Sequence, residues 1–71
     1  MKTIEITKDQ FEDVLYNPNL VVVQKEFSGH LSRTSAAYVY NAVEDKEPVY
    51  AVFCEITHEG VEYWKEEYVQ N

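Results

Sequence analysis

A single cysteine, Cys54, stands among the 71 residues, so no disulfide can close within the chain. With only His30 and His58 beside that thiol, the usual cysteine–histidine ligand set for structural zinc is missing as well. Glycine is scarce: Gly29 and Gly60 stand alone, which excludes a glycine-rich loop wrapped around a phosphate. No apolar run approaches the roughly 20 residues that span a bilayer. A secretory leader and a lipidation signal are likewise lacking, so a cytoplasmic protein without membrane contact is expected. Positive charge is scarce as well, with six Lys and Arg against 13 Asp and Glu, for a net charge of −7. Nucleic acid and anionic lipid are polyanions, so direct binding to either is not expected.

What is present is apolar and aromatic. Hydrophobic residues make up 45% of the chain, and one Trp, six Tyr and three Phe stand among them. That content excludes a disordered acidic tail. The length suits one small domain over residues 1–71, which would bury only about 60% of its unfolded surface. Stability must therefore come from good local signals, aromatic packing or association.

The best local signal is at the first helix. Lys2–Thr7 alternates, with Ile4 and Ile6 on one face, and reads as a short strand. Thr7-Lys8-Asp9-Gln10 has the form of a capping box, and Ile6 with Phe11 forms a hydrophobic staple across it. The helix is expected over Lys8–Tyr16, burying Phe11, Val14 and Leu15 on one stripe and ending at Asn17-Pro18. Leu20–Phe27 is a second strand, with Val21, Val23, Lys25 and Phe27 on one face and Leu20 and Val22 on the other. Ser28–Ser35 is polar and reads as a loop. Ala36–Val43 is a third strand with Tyr38 and Tyr40 on one face, and Glu44–Pro48 a charged turn.

The remaining stretch, Val49–Tyr68, organises the rest. Its first arm, Val49–Thr57, is apolar on both faces and so belongs between neighbouring strands. His58-Glu59-Gly60 returns the chain. With Gly60 left-handed in a three-residue bulged loop, Cys54 would face Trp64 and Tyr50 would face Tyr68. The expected fold is α+β: an antiparallel sheet of four to five strands in the order β-α-β-β-β-β, with one short helix packed on one face. A sheet curled toward a small barrel is the competing architecture.

Catalytic groups do not assemble from this sequence. Cys54 and His58 are four residues apart, about 13 Å in a strand, which is too far to share a metal or act as a local pair. Cys54 reads as a small buried hydrophobe, with rapid thiol labelling the observation that would reinstate it as a nucleophile. His30 lies among Ser28, Ser32 and Ser35 with nothing to orient it as a base, and with Lys25 and Arg33 it makes a small cationic spot at most. A paired-carboxylate glycosidase needs a deep cleft, for which the chain is too short. No enzyme activity, cofactor or metal is expected.

The acidic residues fall into three groups: Asp9, Glu12 and Asp13 on the helix; Glu44, Asp45 and Glu47 in a turn; and Glu55, Glu59, Glu62, Glu66 and Glu67 on the last hairpin. Alternate strand residues lie about 6.6–6.8 Å apart, comparable to successive phosphates. Glu59, Glu62 and Glu66 beside Trp64 and Tyr68 could thus imitate a nucleic-acid strand with its stacked bases. The expected partner-binding residues are Asp9, Glu12, Asp13, Glu59, Glu62, Trp64, Glu66 and Tyr68. The expected function is a non-enzymatic acidic inhibitor that occupies the basic surface of a nucleic-acid-binding protein. Phages and mobile elements direct such products against their hosts, and the host cytoplasm would then be its location. A surface kept acidic only for solubility is the plainer account. A homo-oligomeric module, a homodimer in the first instance, paired through Lys2–Thr7 or Val61–Val69, is the rival function.

Overall fold

The computed structural model describes residues 1–68. Five strands and one helix follow the expected order: β1 (Lys2–Glu5), α1 (Lys8–Leu15), β2 (Val21–Gly29), β3 (Ser32–Tyr40), β4 (Tyr50–Thr57) and β5 (Gly60–Glu67). They form one sheet, ordered β1-β5-β4-β3-β2, in which every neighbouring pair is antiparallel.

Local chemistry starts the helix as the sequence requires. The Gln10 N–H donates to Thr7 Oγ1 at 3.1 Å, and the Thr7 N–H donates to Gln10 Oε1 at 2.9 Å, closing the capping box. Asp9 in the first turn adds a favourable charge at the positive end of the helix dipole. Eight residues are too few to hold a helix in water, so packing must secure it. Phe11 supplies the anchor, only 6% exposed, in a cluster with Ala37 and Val52 that Ile6, Val14, Leu15, Val22 and Tyr63 extend. The Phe11 and Tyr63 rings meet at 5.7 Å. Alanine at 37 leaves room for the phenyl ring where a larger side chain would lift the helix off the sheet.

Central strand β4 is buried on both faces, Val52 toward the helix and Ala51 and Phe53 away from it. The expectation of a sandwiched strand there is met. The first strand, however, does not lie beside the second. β1 joins β5 at one edge while β2 forms the other edge, so α1 and its connections carry the chain over the whole sheet. Four strand spacings span about 19 Å, which residues 6–20 bridge easily. With its two end strands at opposite edges, the sheet is open and the barrel alternative falls. The Val61–Val69 edge is corrected too: β5 is internal along Trp64–Glu67, where β1 pairs with it, and Val69 lies outside the described residues.

Two turns are tighter than their polarity suggested. Ser28–Ser35 is no loop. The β2–β3 ladder runs out to Gly29 opposite Ser32, leaving only His30 and Leu31 in the turn. These arms project beyond the helix, so water reaches both faces and apolar alternation has no purpose there. Cross-strand polar contacts take over: Arg33 Nη2 lies 3.5 Å from Glu26 Oε2, and the Ser35 hydroxyl donates to Glu26 Oε1 at 3.2 Å. Strand β3 accordingly starts earlier and ends at Tyr40, with Ala42 and Asp45 closing a turn where strand had been expected to run to Val43.

The second correction is at Gly60, which is already paired with Thr57, so the hairpin turn is the two residues His58 and Glu59. The Glu59 N–H donates to Thr57 Oγ1 at 3.2 Å, and Gly60 enters the strand at φ 139°, where a side chain would be strained. The register therefore differs by one residue from that of a bulged loop, which exchanges the faces of β5 relative to β4. Trp64 faces Phe53, Tyr63 faces Cys54, and Tyr50 faces Glu67.

Candidate binding face

Directly paired residues of an antiparallel sheet share a face, so the register assigns every side chain. One face carries α1. Among the described residues the other has no helix over it, and three of the rows that cross it hold most of its aromatic and acidic side chains. Lys25, Ala36, Phe53, Trp64 and Glu5 form the middle row; Val23, Tyr38, Ala51, Glu66 and Thr3 lie on one side; and Phe27, Thr34, Glu55 and Glu62 lie on the other.

Aromatic rings close the centre of this face. Phe53 is 8% exposed with no helix above it, because Trp64 stacks on it at 5.2 Å and 11° while Tyr38 meets it edge-on at 5.9 Å. Alanines at 36 and 51 complete the cluster, into which Tyr68 also packs. Lys25 Nζ sits 5.7 Å from the Tyr38 ring.

Carboxylates crowd the β1–β5 side. Glu66 is half-buried and held in place: Trp64 Nε1 donates to its Oε2 at 3.3 Å and the Tyr68 hydroxyl to its Oε1 at 3.1 Å. Burial pushes the Tyr68 phenol up to about 12, aided by that hydrogen bond and the Glu66 charge, and further by Tyr38 and Tyr40. Tyr68 is thus a neutral donor across the ordinary pH range. Glu55 directly faces Glu62, and Glu5 beside Trp64 is diagonal to Glu62. A shallow recess of about 320 Å³ lies among Thr3, Glu5, Glu55, Glu62 and Trp64. Glu55 and Glu62 also line an open groove of about 580 Å³ between the two hairpin tips, with His30, His58 and Glu59.

Of the residues expected to bind a partner, Glu62, Trp64, Glu66 and Tyr68 come together on the uncovered face, and Glu59 stands at its tip. Asp9, Glu12 and Asp13 do not join them. They ride on the helix, on the other side of the sheet. The residues expected to bind a partner left out Glu5, Glu55, Phe53 and Lys25, although Glu55 stood among the carboxylates of the last hairpin. A two-residue turn at His58-Glu59 would have exposed the Glu55–Glu62 pairing, whereas Glu5 reaches the face only through the β1–β5 edge pairing. Cys54 belongs to the helix side, packed on the Phe11 cluster. Among the described residues no three His, Cys, Asp or Glu side chains are placed to hold a metal, and no helix is long and apolar enough to cross a membrane.

Fold and surface together define a class: a small α+β protein with a single open sheet, helix on one side and an aromatic, largely acidic face on the other. The chain belongs to the Phage T4 Cef protein family, which it matches over residues 1–67, and it is in that sense a phage protein. It is 56% identical over 62 residues to "Protein cef" of Enterobacteria phage T4, covering 87% of each chain. No solved structure matches it.

Proposed function

We propose that this protein is a non-enzymatic acidic binding protein that docks its uncovered sheet face on the basic surface of a nucleic-acid-binding host protein, and so inhibits it. The observation that supports this reading is the composition of that face. Glu5, Glu55, Glu62 and Glu66 gather on its β1–β5 side around Trp64, and the strand rows crossing it contain one cation, Lys25, at the far side. Carboxylates kept only for solubility have no reason to stand opposite one another, since like charges facing across a ladder destabilise it. Glu62, Trp64 and Glu66 alternate along one strand at about 6.7 Å intervals, which sets a ring between two carboxylates, the second of them oriented by Trp64 and Tyr68. A basic groove with stacking platforms is complementary to that sequence of groups. The chain belongs to a phage protein family, and a host protein is the partner this reading assigns to it.

Affinity capture from host lysate at low and high salt tests the reading, with two triple variants as the comparison. Replacing Glu5, Glu55 and Glu62 with Gln should abolish salt-sensitive capture of a basic nucleic-acid-binding protein. Replacing Asp9, Glu12 and Asp13 with Asn, Gln and Asn should leave it intact, because those side chains are on the helix side. Equal capture by both variants would refute the proposal.

A further inference from the structure

We propose that strand β2 is a pairing edge for a second copy of this chain, giving a two-fold dimer with one continuous ten-stranded sheet. The two free edges differ. β1 has four residues, exposing Lys2, Thr3 and Glu5, whereas β2 has nine and no proline, and beside Lys25 it exposes Val23 (43%) and Phe27 (48%) on the uncovered face. A long edge with apolar side chains and unpaired backbone groups is a template for another strand.

Hydrogen-bond alternation says which backbone groups are free. The Tyr68 N–H donates to Val49 C=O, and the Ile6 N–H to Tyr63 C=O. In an antiparallel ladder each residue bonds to one neighbour only, so even residues of β5 bond to β4 and odd residues to β1. Carried through the registers of β4 and β3, this makes odd residues of β2 bond to β3. Val22, Gln24, Glu26 and Ser28 therefore turn their N–H and C=O outward. Two such edges bond only if even residues face even residues, which leaves a short choice of registers.

A register with Gln24 on the two-fold axis has the widest overlap without a like-charge clash. Val22 then faces the second copy's Glu26, Val23 faces its Lys25, and Val21 faces its Phe27, covering the exposed phenyl. The register one step along would set Lys25 against Lys25. Glu26 is already engaged by Arg33 and Ser35 of its own chain, so the contact strands no charge. Facing partners of equal parity also keep the two uncovered faces on the same side. Glu5 stays four strand spacings from the join, about 19 Å, and Glu62 three, about 14 Å, on each side, so their repulsion opposes pairing least at this edge.

Sedimentation velocity across a range of concentrations tests the proposal, together with crosslinking. Wild type should shift from monomer toward dimer as concentration rises, and Gln24→Pro, which removes an outward N–H without touching the β2–β3 ladder, should stay monomeric with unchanged far-UV circular dichroism. Because a proline could unsettle the strand, Gln24→Lys is the second variant, and it should also stay monomeric. In a Cys54→Ser background, Gln24→Cys should form an intermolecular disulfide on mild oxidation, since paired residues at the axis lie about 5.5 Å apart. A wild-type chain that remains monomeric into the millimolar range overturns the proposal, as does a dimer that both Gln24 variants leave untouched.

Discussion

If Glu62 is kept for binding at a cost to the fold, removing its charge should make the protein more stable. Glu62 faces Glu55 directly and Glu5 diagonally. Cross-strand partners lie about 5 Å apart and diagonal neighbours about 7–8 Å at the Cβ atoms. In water each such like-charge pair costs on the order of 0.5 kcal/mol before screening, and at physiological salt, with a Debye length of about 8 Å, roughly half of that. Glu62→Gln should therefore stabilise the fold by about 1 kcal/mol at low salt and about 0.5 kcal/mol at physiological salt. For a domain of this size, about 1 kcal/mol corresponds to a melting temperature higher by roughly 4–8 °C. Glu62→Lys, which turns repulsion into attraction across the same pair, should gain more than Glu62→Gln. Thermal unfolding followed by circular dichroism at two salt concentrations measures both effects. A Glu62→Gln variant that melts at or below the wild-type temperature at low salt, or whose gain does not shrink with salt, would refute the claim that these carboxylates strain the sheet.

Three other outcomes follow from the packing. Phe11→Ala should cost about 3–5 kcal/mol, because the ring is the buried anchor of the helix. That is most of the total expected of so small a domain, so urea unfolding should show little folded protein left. Leu31, two-thirds exposed (67%), holds φ at 67° in the β2–β3 turn. Leu31→Asn, which tolerates that conformation, should raise the urea midpoint by about 0.5–1 kcal/mol equivalent. Tyr68 should ionise near 12 in the folded protein against about 10 when unfolded. Its contribution to stability is then complete below pH 10 and is lost as pH rises from 10 through 12, because the unfolded chain gives up the proton first. Absorbance titration should show Tyr68 among the late tyrosines, with Tyr50 and Tyr63, which are also raised by burial. Glu66→Gln should lower Tyr68 part of the way, burial holding it above 10.

Much of this architecture was legible in the residues, and the failures were of one kind. The Thr7–Gln10 box and the Ile6–Phe11 staple are contacts between near neighbours, so the helix start could be read with nothing else known. Period-two alternation likewise separated Val22 from Val23 and Val39 from Tyr38, because a strand's two faces are a property of its own backbone. Ser28–Ser35 was misread because polarity reports solvent, not conformation. Its arms are regular ladder with water on both faces. Trp64 was expected opposite Cys54 and Tyr68 opposite Tyr50, where the structure sets Trp64 against Phe53 and Tyr50 against Glu67, since the register hangs on whether Gly60 sits in the turn or in the strand.

The sequence by itself determined the kinds of element, their order, the side chains that share a face within each strand, and the excess of negative charge. Tertiary structure alone decided that β1 crosses to pair with β5, which brings Glu5 beside Glu62, sets Asp9, Glu12 and Asp13 on the opposite side, and leaves β2 as the long free edge. The division has a physical origin: dihedral preferences and caps act over a few residues of one chain segment. Strand order and register are chosen by which distant surfaces bury each other best, and no local pattern carries that information.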